Sequence, residues 1–122
     1  MEIGCGSGLV AFELSRREYV CSYTGIDMNA ECIDRALLIR DTLNLNNISF
    51  IQKNAFEFLN SIDSKDKKFD YVILYDFIEH IPDPEKFVKD LLRCLGDNWG
   101  EYLLFPCLLQ IILKFLEKNF IN

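Results

Sequence analysis

The sequence lacks paired cysteines. Its five cysteines are odd in number, widely spaced and without a C-x-x-C pair, which excludes a disulfide framework or a cysteine zinc site as its organising feature. Scattered thiols fit a reducing compartment, so we expect a cytoplasmic protein. The cysteines are Cys5, Cys21, Cys32, Cys94 and Cys107.

Basic charge and long apolar runs are also scarce. The formal net charge is −6, which gives no general attraction to nucleic acid or to an anionic membrane and favours a small molecule as the partner. The most apolar stretch, at 102–116, is too short to span a membrane and is interrupted by Pro106, Gln110 and Lys114. Glu2 and the glycines follow Met1 directly, so no signal peptide is predicted.

Strand and helix patterns alternate along the chain, and no internal repeat or linker interrupts them. This alternation predicts a single α/β domain in which helices cover both faces of a parallel sheet. The pattern FDYVILYD is almost wholly apolar and predicts a strand buried on both faces. The strand patterns are MEIG, CSYTGID, ISFIQKN, FDYVILYD and GEYLLF, and the helix patterns are LVAFELSRRE, NAECIDRALLIRDTLNL, AFEFLNSI, DPEKFVKDLLRCL and CLLQIILKFLEKNF.

Polar residues mark the starts of two helices. Asn29 is predicted to cap the second helix, and Asp83 to cap the fourth with Pro84 in its first turn. Ligands of parallel α/β sheets bind outside the carboxyl ends of the strands. The stretch GCGSG, from Gly4 to Gly8, follows the first strand at such an end, so we expect it to bind a ligand.

The spacing of the glycines bears on the ligand. Dinucleotide-binding loops have the pattern G-x-G-x-x-G. Here the pattern is G-x-G-x-G, and Leu9 stands where the third glycine of the dinucleotide pattern would be. Glu2 precedes the loop and would repel a pyrophosphate, whereas it is compatible with a sulfonium or an ammonium group. A nicotinamide-binding oxidoreductase is therefore disfavoured.

The stretch EIGCGSG resembles the first motif of class I S-adenosylmethionine-dependent methyltransferases. The stretches GIDMN, KNAFEF, FDYVILYDFIEHIPDP and LRCLGDNWGEYLLFP are similar to later motifs of the same family, in the family's order and as far as Pro106. The resemblance implies a Rossmann-like sheet, truncated to about five strands in the order 3-2-1-4-5. It also implies a single cofactor-binding domain over residues 1–122 that is incomplete at both ends.

The resemblance implies S-adenosylmethionine as the cofactor. In the family, the acid at the position of Asp27 binds both ribose hydroxyls, and the residue at the position of Met28 packs on adenine. Asn54 stands near the adenine edge in place of the usual acid, and its carbonyl oxygen can still accept a hydrogen bond. The implied cofactor-binding residues are Glu2, Gly4, Cys5, Gly6, Gly8, Asp27, Met28, Asn54, Ala55 and Tyr75.

Simpler interpretations compete with these roles. The glycines could serve a turn alone. Asp27 could act only as a charge at a helix N-terminus, and Asn54 only as a turn residue. Met28 is of a residue type found more often in a core than against a ligand.

Asp76, Glu79 and His80 form a D-x-x-E-H pattern at the end of the fourth strand. It resembles the E-x-x-E-H of ubiquinone-pathway and small-RNA O-methyltransferases, in which the three residues hold a divalent metal. A similar pattern orients a loop in many relatives without metal, so a metal is possible here but not favoured. We assign Glu79 and His80 as catalytic residues, with His80 a candidate base. A second downstream histidine is absent, which weakens the RNA interpretation.

The resemblance therefore predicts methyl transfer to a hydroxyl, more readily of a small molecule than of RNA. The alternative is a non-catalytic protein that binds S-adenosylmethionine and acts through partner contact. The edge of the fifth strand and the last helix are apolar, so we expect a second copy or a completing partner there. The residues of this face are Leu103, Leu104, Ile111, Ile112 and Phe115.

Overall fold

A computed structural model of the chain describes residues 1–17, 22–63, 69–75 and 77–95 and the backbone of 103–104. Its strands form one parallel sheet in the order β3-β2-β1-β4-β5, which confirms the predicted fold class and strand order. In chain order the elements are β1 (Glu2–Ile3), α1 (Leu9–Arg16), β2 (Tyr23–Asp27), α2 (Ala30–Thr42), β3 (Ile48–Gln52), α3 (Ala55–Ser61), β4 (Val72–Ile73), a 3₁₀ turn (Ile78–His80), α4 (Pro84–Leu92) and β5 (Leu103–Leu104).

The strand register brings three loops together at the carboxyl edge of the sheet. The loop after β1 joins the end of β2 through the Gly4 amide, which donates to the Ile26 carbonyl at 2.8 Å. The loop after β3 joins it through the Lys53 amide, which donates to the Asp27 carbonyl at 3.0 Å. The first three crossovers therefore place the glycine loop, Asp27 and Asn54 side by side.

Strand β4 is shorter than predicted. Only Val72–Ile73 form it, and Tyr71 and Tyr75 on either side are about half exposed. The prediction of a long strand buried on both faces was therefore wrong. The cause lies in the neighbours: within the described residues β1 pairs with β4 at Glu2, and β5 contributes two partners. A strand extends only as far as a neighbour can satisfy its backbone groups.

The predicted helix starts are confirmed. The Asn29 side chain accepts from the Cys32 amide at 3.2 Å, and the Asp83 side chain accepts from the Lys86 amide at 3.0 Å. Helix α2 ends at Thr42, before the predicted Leu45, because Asn44 adopts a left-handed conformation with φ of 54° that no helix continues.

Alternation along the strands gives the sheet a core on each face. Ile3 and Ile26 belong to the larger core cluster, together with Phe87 of α4. Tyr23 and Phe50 belong to the other cluster, together with residues of α1 and α2. No helix of the described ranges is long and apolar enough to cross a membrane. The predicted last helix lies outside the described residues.

Candidate functional site

The loop after β1 has an unusual backbone. Gly4, Gly6 and Gly8 all have positive φ, at 75°, 53° and 86°. Side chains are strained in this region, so glycine is the natural residue at each position. The loop ends where α1 begins at Leu9, with Gly8 in the N-cap position.

The three glycines differ in what surrounds them. A Cβ atom at Gly4 would lie 2.8 Å from the Phe77 ring, and one at Gly8 would lie 2.6 Å from the Phe50 ring. At Gly6 no atom of the described chain lies within 4 Å of such a Cβ. Gly4 and Gly8 are therefore needed for packing, whereas Gly6 leaves its side of the loop open to a ligand.

The Asp27 carboxylate connects the glycine loop with the turn into α2. One oxygen accepts from the Gly6 amide at 2.8 Å, and the other accepts from the Asn29 amide at 2.9 Å. A carboxylate has about four acceptor positions, so about two remain for a further donor pair such as a diol. Asp27 is partly exposed, which leaves it accessible to a ligand above the loop.

Apolar side chains project from the same edge of the sheet. Met28, after β2, is 70% exposed, and Tyr75, after β4, is 56% exposed. Leu9, next to the last glycine, is 80% exposed. Met28 is therefore not a core residue, and its role as an adenine platform stays a prediction. Sequence analysis did not select Leu9, although its place directly after the last glycine was a usable signal.

Asn54 caps a helix, as a turn residue would. Its carbonyl oxygen accepts from the Phe56 amide at 2.9 Å at the start of α3. One acceptor position of that oxygen and the whole amide group remain for a ligand. Ala55 follows as the first residue of α3 and is buried in the larger core cluster.

Replacing Asn54 tests its role as the cap of α3. Asn54→Ala is expected to lower the free energy of unfolding by about 1 kcal/mol because α3 loses its cap. Asn54→Asp keeps the acceptor and should leave stability within about 0.5 kcal/mol of the parent. Urea unfolding followed by circular dichroism measures both. Equal losses in the two variants would contradict the capping role.

Glu2 of β1 is an acidic residue buried within the sheet, where it is 2% exposed. Its side chain accepts a hydrogen bond from the Tyr23 hydroxyl of β2. Burial raises the pKa of Glu2, and the Tyr23 hydroxyl lowers that pKa in part. Sequence analysis missed Tyr23, and the only available signal was the alternation that places it on the Glu2 face of the sheet.

Cys5 is a buried thiol within the glycine loop. Burial raises the pKa of Cys5 to about 12, with Glu2 and Asp27 adding to the effect through their negative charges. The thiol therefore stays protonated at neutral pH and is not a nucleophile. Its contribution to the site is to fill the space beside Gly25, where a Cβ would lie 2.8 Å from the Cys5 Sγ.

Glu79 and His80 are exposed on the 3₁₀ turn that follows β4. Phe77 precedes this turn, and its ring packs against Gly4, so the turn lies next to the glycine loop. The predicted third member of the pattern, Asp76, lies outside the described residues. Among the residues that the structure describes, no three His, Cys, Asp or Glu side chains are grouped as metal ligands would be.

A polar cleft of about 420 Å³ lies at the other end of the sheet. It is bordered by the end of α2 and the beginning of β3, including Arg40, Asn44 and Ser49. The glycine loop and Asp27 do not line it. Because ligands of parallel sheets bind at the carboxyl edge, we assign the functional site to the glycine loop and not to this cleft.

Comparison with known proteins gives one family. A family model described as a methyltransferase domain matches residues 1–119. The ubiquinone biosynthesis O-methyltransferase of Neisseria meningitidis serogroup A is 26% identical over 130 residues, covering 98% of this chain and 53% of that protein. The enzyme of the same name from Alkalilimnicola ehrlichii is 30% identical over 108 residues, covering 88% of this chain and 40% of that protein.

Solved structures similar to this chain include methyltransferases. The plantazolicin methyltransferase BamL, in complex with SAH and a triazolic desmethylPZN analogue, aligns with a TM-score of 0.64 at 31% identity. The alignment covers 79% of this chain and 33% of that chain. The chain spans about half the length of the curated relatives it matches, or less.

Proposed function

This chain belongs to the methyltransferase domain family, and from that membership we propose that it binds S-adenosylmethionine at the glycine loop and methylates a hydroxyl group of a small molecule. The observation that carries the proposal is the contrast among the loop glycines. Gly6 alone is open on its ligand side, while Asp27 holds its amide in place. A backbone arranged in this way supports the close approach of a ligand.

The residues at the site fit this cofactor. The free acceptor positions of Asp27 suit the two hydroxyls of a ribose. Exposed Met28 offers an apolar surface for adenine, with Asn54 and Ala55 near the adenine edge. Glu2 beneath the loop favours a cationic ligand over an anionic one, which supports a sulfonium cofactor against a dinucleotide.

The remaining members of the predicted site serve the same ligand in the proposal. Gly4, Cys5 and Gly8 shape the loop through their contacts with Phe77, Gly25 and Phe50. Tyr75 borders the site from the end of β4 and offers an exposed ring to the cofactor.

S-adenosylmethionine, when bound, supplies a methyl group from its sulfonium. His80 is placed at the loop by the 3₁₀ turn and would accept the proton that the acceptor hydroxyl releases. Glu79, adjacent to it and also exposed, would orient the imidazole or the acceptor. Methyl transfer and proton transfer together leave the acceptor as a neutral ether. The proposal includes no metal.

Replacing His80 should lower turnover without affecting cofactor binding. His80→Ala is expected to reduce kcat about tenfold to a hundredfold, because the acceptor loses its base, while the affinity for S-adenosylhomocysteine (SAH) changes less than about twofold. Turnover of labelled cofactor and calorimetry measure the two effects separately. Glu85→Ala, at an exposed position of α4, is the matched control. A parallel loss of SAH affinity would contradict a role confined to catalysis.

The proposal itself is tested by calorimetry with SAH and with NAD, followed by methyl transfer from labelled S-adenosylmethionine to a panel of phenols, alcohols and short RNAs. We expect the protein to bind SAH but not NAD, and to transfer a methyl group to a small hydroxyl compound. Binding of SAH without transfer to any acceptor would favour the non-catalytic alternative. Binding of NAD alone would overturn the proposal.

The wider organisation is also part of the proposal. We place one cofactor-binding domain over residues 1–122, in the cytoplasm, with a small-molecule acceptor as its partner. Self-association through the edge of β5 and the last helix stays a prediction, because its side chains lie outside the described residues. Light scattering over a dilution series measures it.

A further inference from the structure

Glu2 is the one buried charged side chain in the described part of the chain. Burying a carboxylate is costly unless it is paired or hydrogen-bonded. No basic side chain of the described ranges forms an ion pair with it. Its side-chain partner is the hydroxyl of Tyr23. A carboxyl group buried two residues before the glycine loop, with the Tyr23 hydroxyl as its side-chain partner, indicates a function for the pair.

The sheet places Glu2 and Tyr23 in line with the loop. Glu2 is paired with Gly25 of β2, and Tyr23 lies two residues before Gly25 on the same face. Cys5 of the loop packs over Gly25 on that face. The Tyr23 ring is held by an edge contact with Phe50 at 6.1 Å between ring centroids, so its hydroxyl has a fixed direction.

We propose that Tyr23 is a positioning residue whose hydroxyl holds the Glu2 carboxylate, as an anion, beneath the glycine loop, where the charge favours the ammonium group of the cofactor's amino-acid end. The inference rests on the proposed function. Tyr23 itself does not contact the cofactor and acts only through Glu2. This gives a role to the tyrosine that begins β2, at the end of the strand away from the edge at which ligands bind.

Other ionisable groups also face Glu2. The Met1 amino group attracts its charge and the Asp27 carboxylate repels it. Burial lowers the pKa of the Met1 amino group to about 6, so this group titrates in the range in which Glu2 is tested. The Cys5 thiol stays protonated there. A comparison of variants that all retain these groups isolates the contribution of Tyr23.

The test is the pH dependence of SAH binding, followed by calorimetry from about pH 5.5 to about pH 8.5. The proteins are the wild type, Tyr23→Phe, Glu2→Gln and the double variant. Wild-type affinity should fall as the pH falls, because Glu2 becomes protonated. Without its donor, Glu2 should protonate at a higher pH in Tyr23→Phe than in the wild type. Its affinity should be severalfold lower than wild type at the acidic end of this range, and the two should converge at higher pH.

The Glu2→Gln background provides the control. There, adding Tyr23→Phe should change the pH profile no further, since no carboxylate is left to position. A loss of affinity in Tyr23→Phe that is the same at every pH would overturn the inference, because a packing defect alone gives that result. If Tyr23→Phe does not fold, the wild type and Glu2→Gln decide, and identical pH profiles for these two would overturn the inference.

The two proposals fail in distinguishable ways. Wild-type protein that binds no SAH at any pH would overturn the proposed function and this inference together. Wild-type binding with parallel profiles for wild type and Tyr23→Phe would overturn the inference alone.

Discussion

Gly6→Asn is expected to weaken SAH binding at least a thousandfold while the protein still folds. Nothing in the described chain lies within 4 Å of a Cβ at Gly6, so the new side chain meets no protein atom at its base and projects into the space assigned to the cofactor. Asparagine tolerates the left-handed conformation better than other side chains, which limits the loss of stability to about 1 kcal/mol. Calorimetry with SAH and urea unfolding measure the two quantities.

Gly8→Ala is the comparison variant, because it adds a smaller group to the same loop and is expected to lower stability more than Gly6→Asn does. Its Cβ would lie 2.6 Å from the Phe50 ring. We expect a loss of about 3 kcal/mol in the free energy of unfolding, from overpacking and the left-handed backbone together. If Gly6→Asn retained tight SAH binding, the loop would be a turn and not a ligand site.

The glycine loop and the helix caps could be predicted from sequence because local residues determine them. Positive φ values at Gly4 and Gly6, and the cap at Asn29, depend on residues within one turn of the chain. The order of the motifs along the chain then predicted that Asp27 lies at the same edge of the sheet as the loop, and the observed strand order confirms this position.

Other features could not be predicted, because they depend on contacts between distant segments. The length of β4 is set by what β1 and β5 offer as partners, which its own apolar pattern does not encode. The hydrogen bond between Tyr23 and Glu2 depends on the register that pairs Glu2 with Gly25, two residues after Tyr23. The two hydrogen bonds that Asp27 accepts from backbone amides likewise depend on the paths of two separate loops.

Asp27 is the second position at which a large effect is expected. Asp27→Ala should weaken SAH binding by about 3 kcal/mol, which is more than a hundredfold, because hydrogen bonds from the ribose hydroxyls to a charged acceptor are lost. The Gly6 amide also loses its acceptor at 2.8 Å, so the loop is no longer held before the ligand arrives. Calorimetry measures the affinity, and hydrogen exchange at the Gly6 amide without ligand measures the release of the loop.

Asp27→Asn separates the two contributions. An amide side chain has one acceptor oxygen, so it can satisfy only one of the amides of Gly6 and Asn29 in the observed arrangement, and about a tenfold loss of affinity is expected. Asp34→Ala, at an exposed carboxylate on α2, is the control and should change affinity less than about twofold. A folded Asp27→Ala variant with wild-type affinity for SAH would contradict the ribose assignment. If that variant kept wild-type affinity but its Gly6 amide exchanged faster, Asp27 would hold the loop without contacting the ribose.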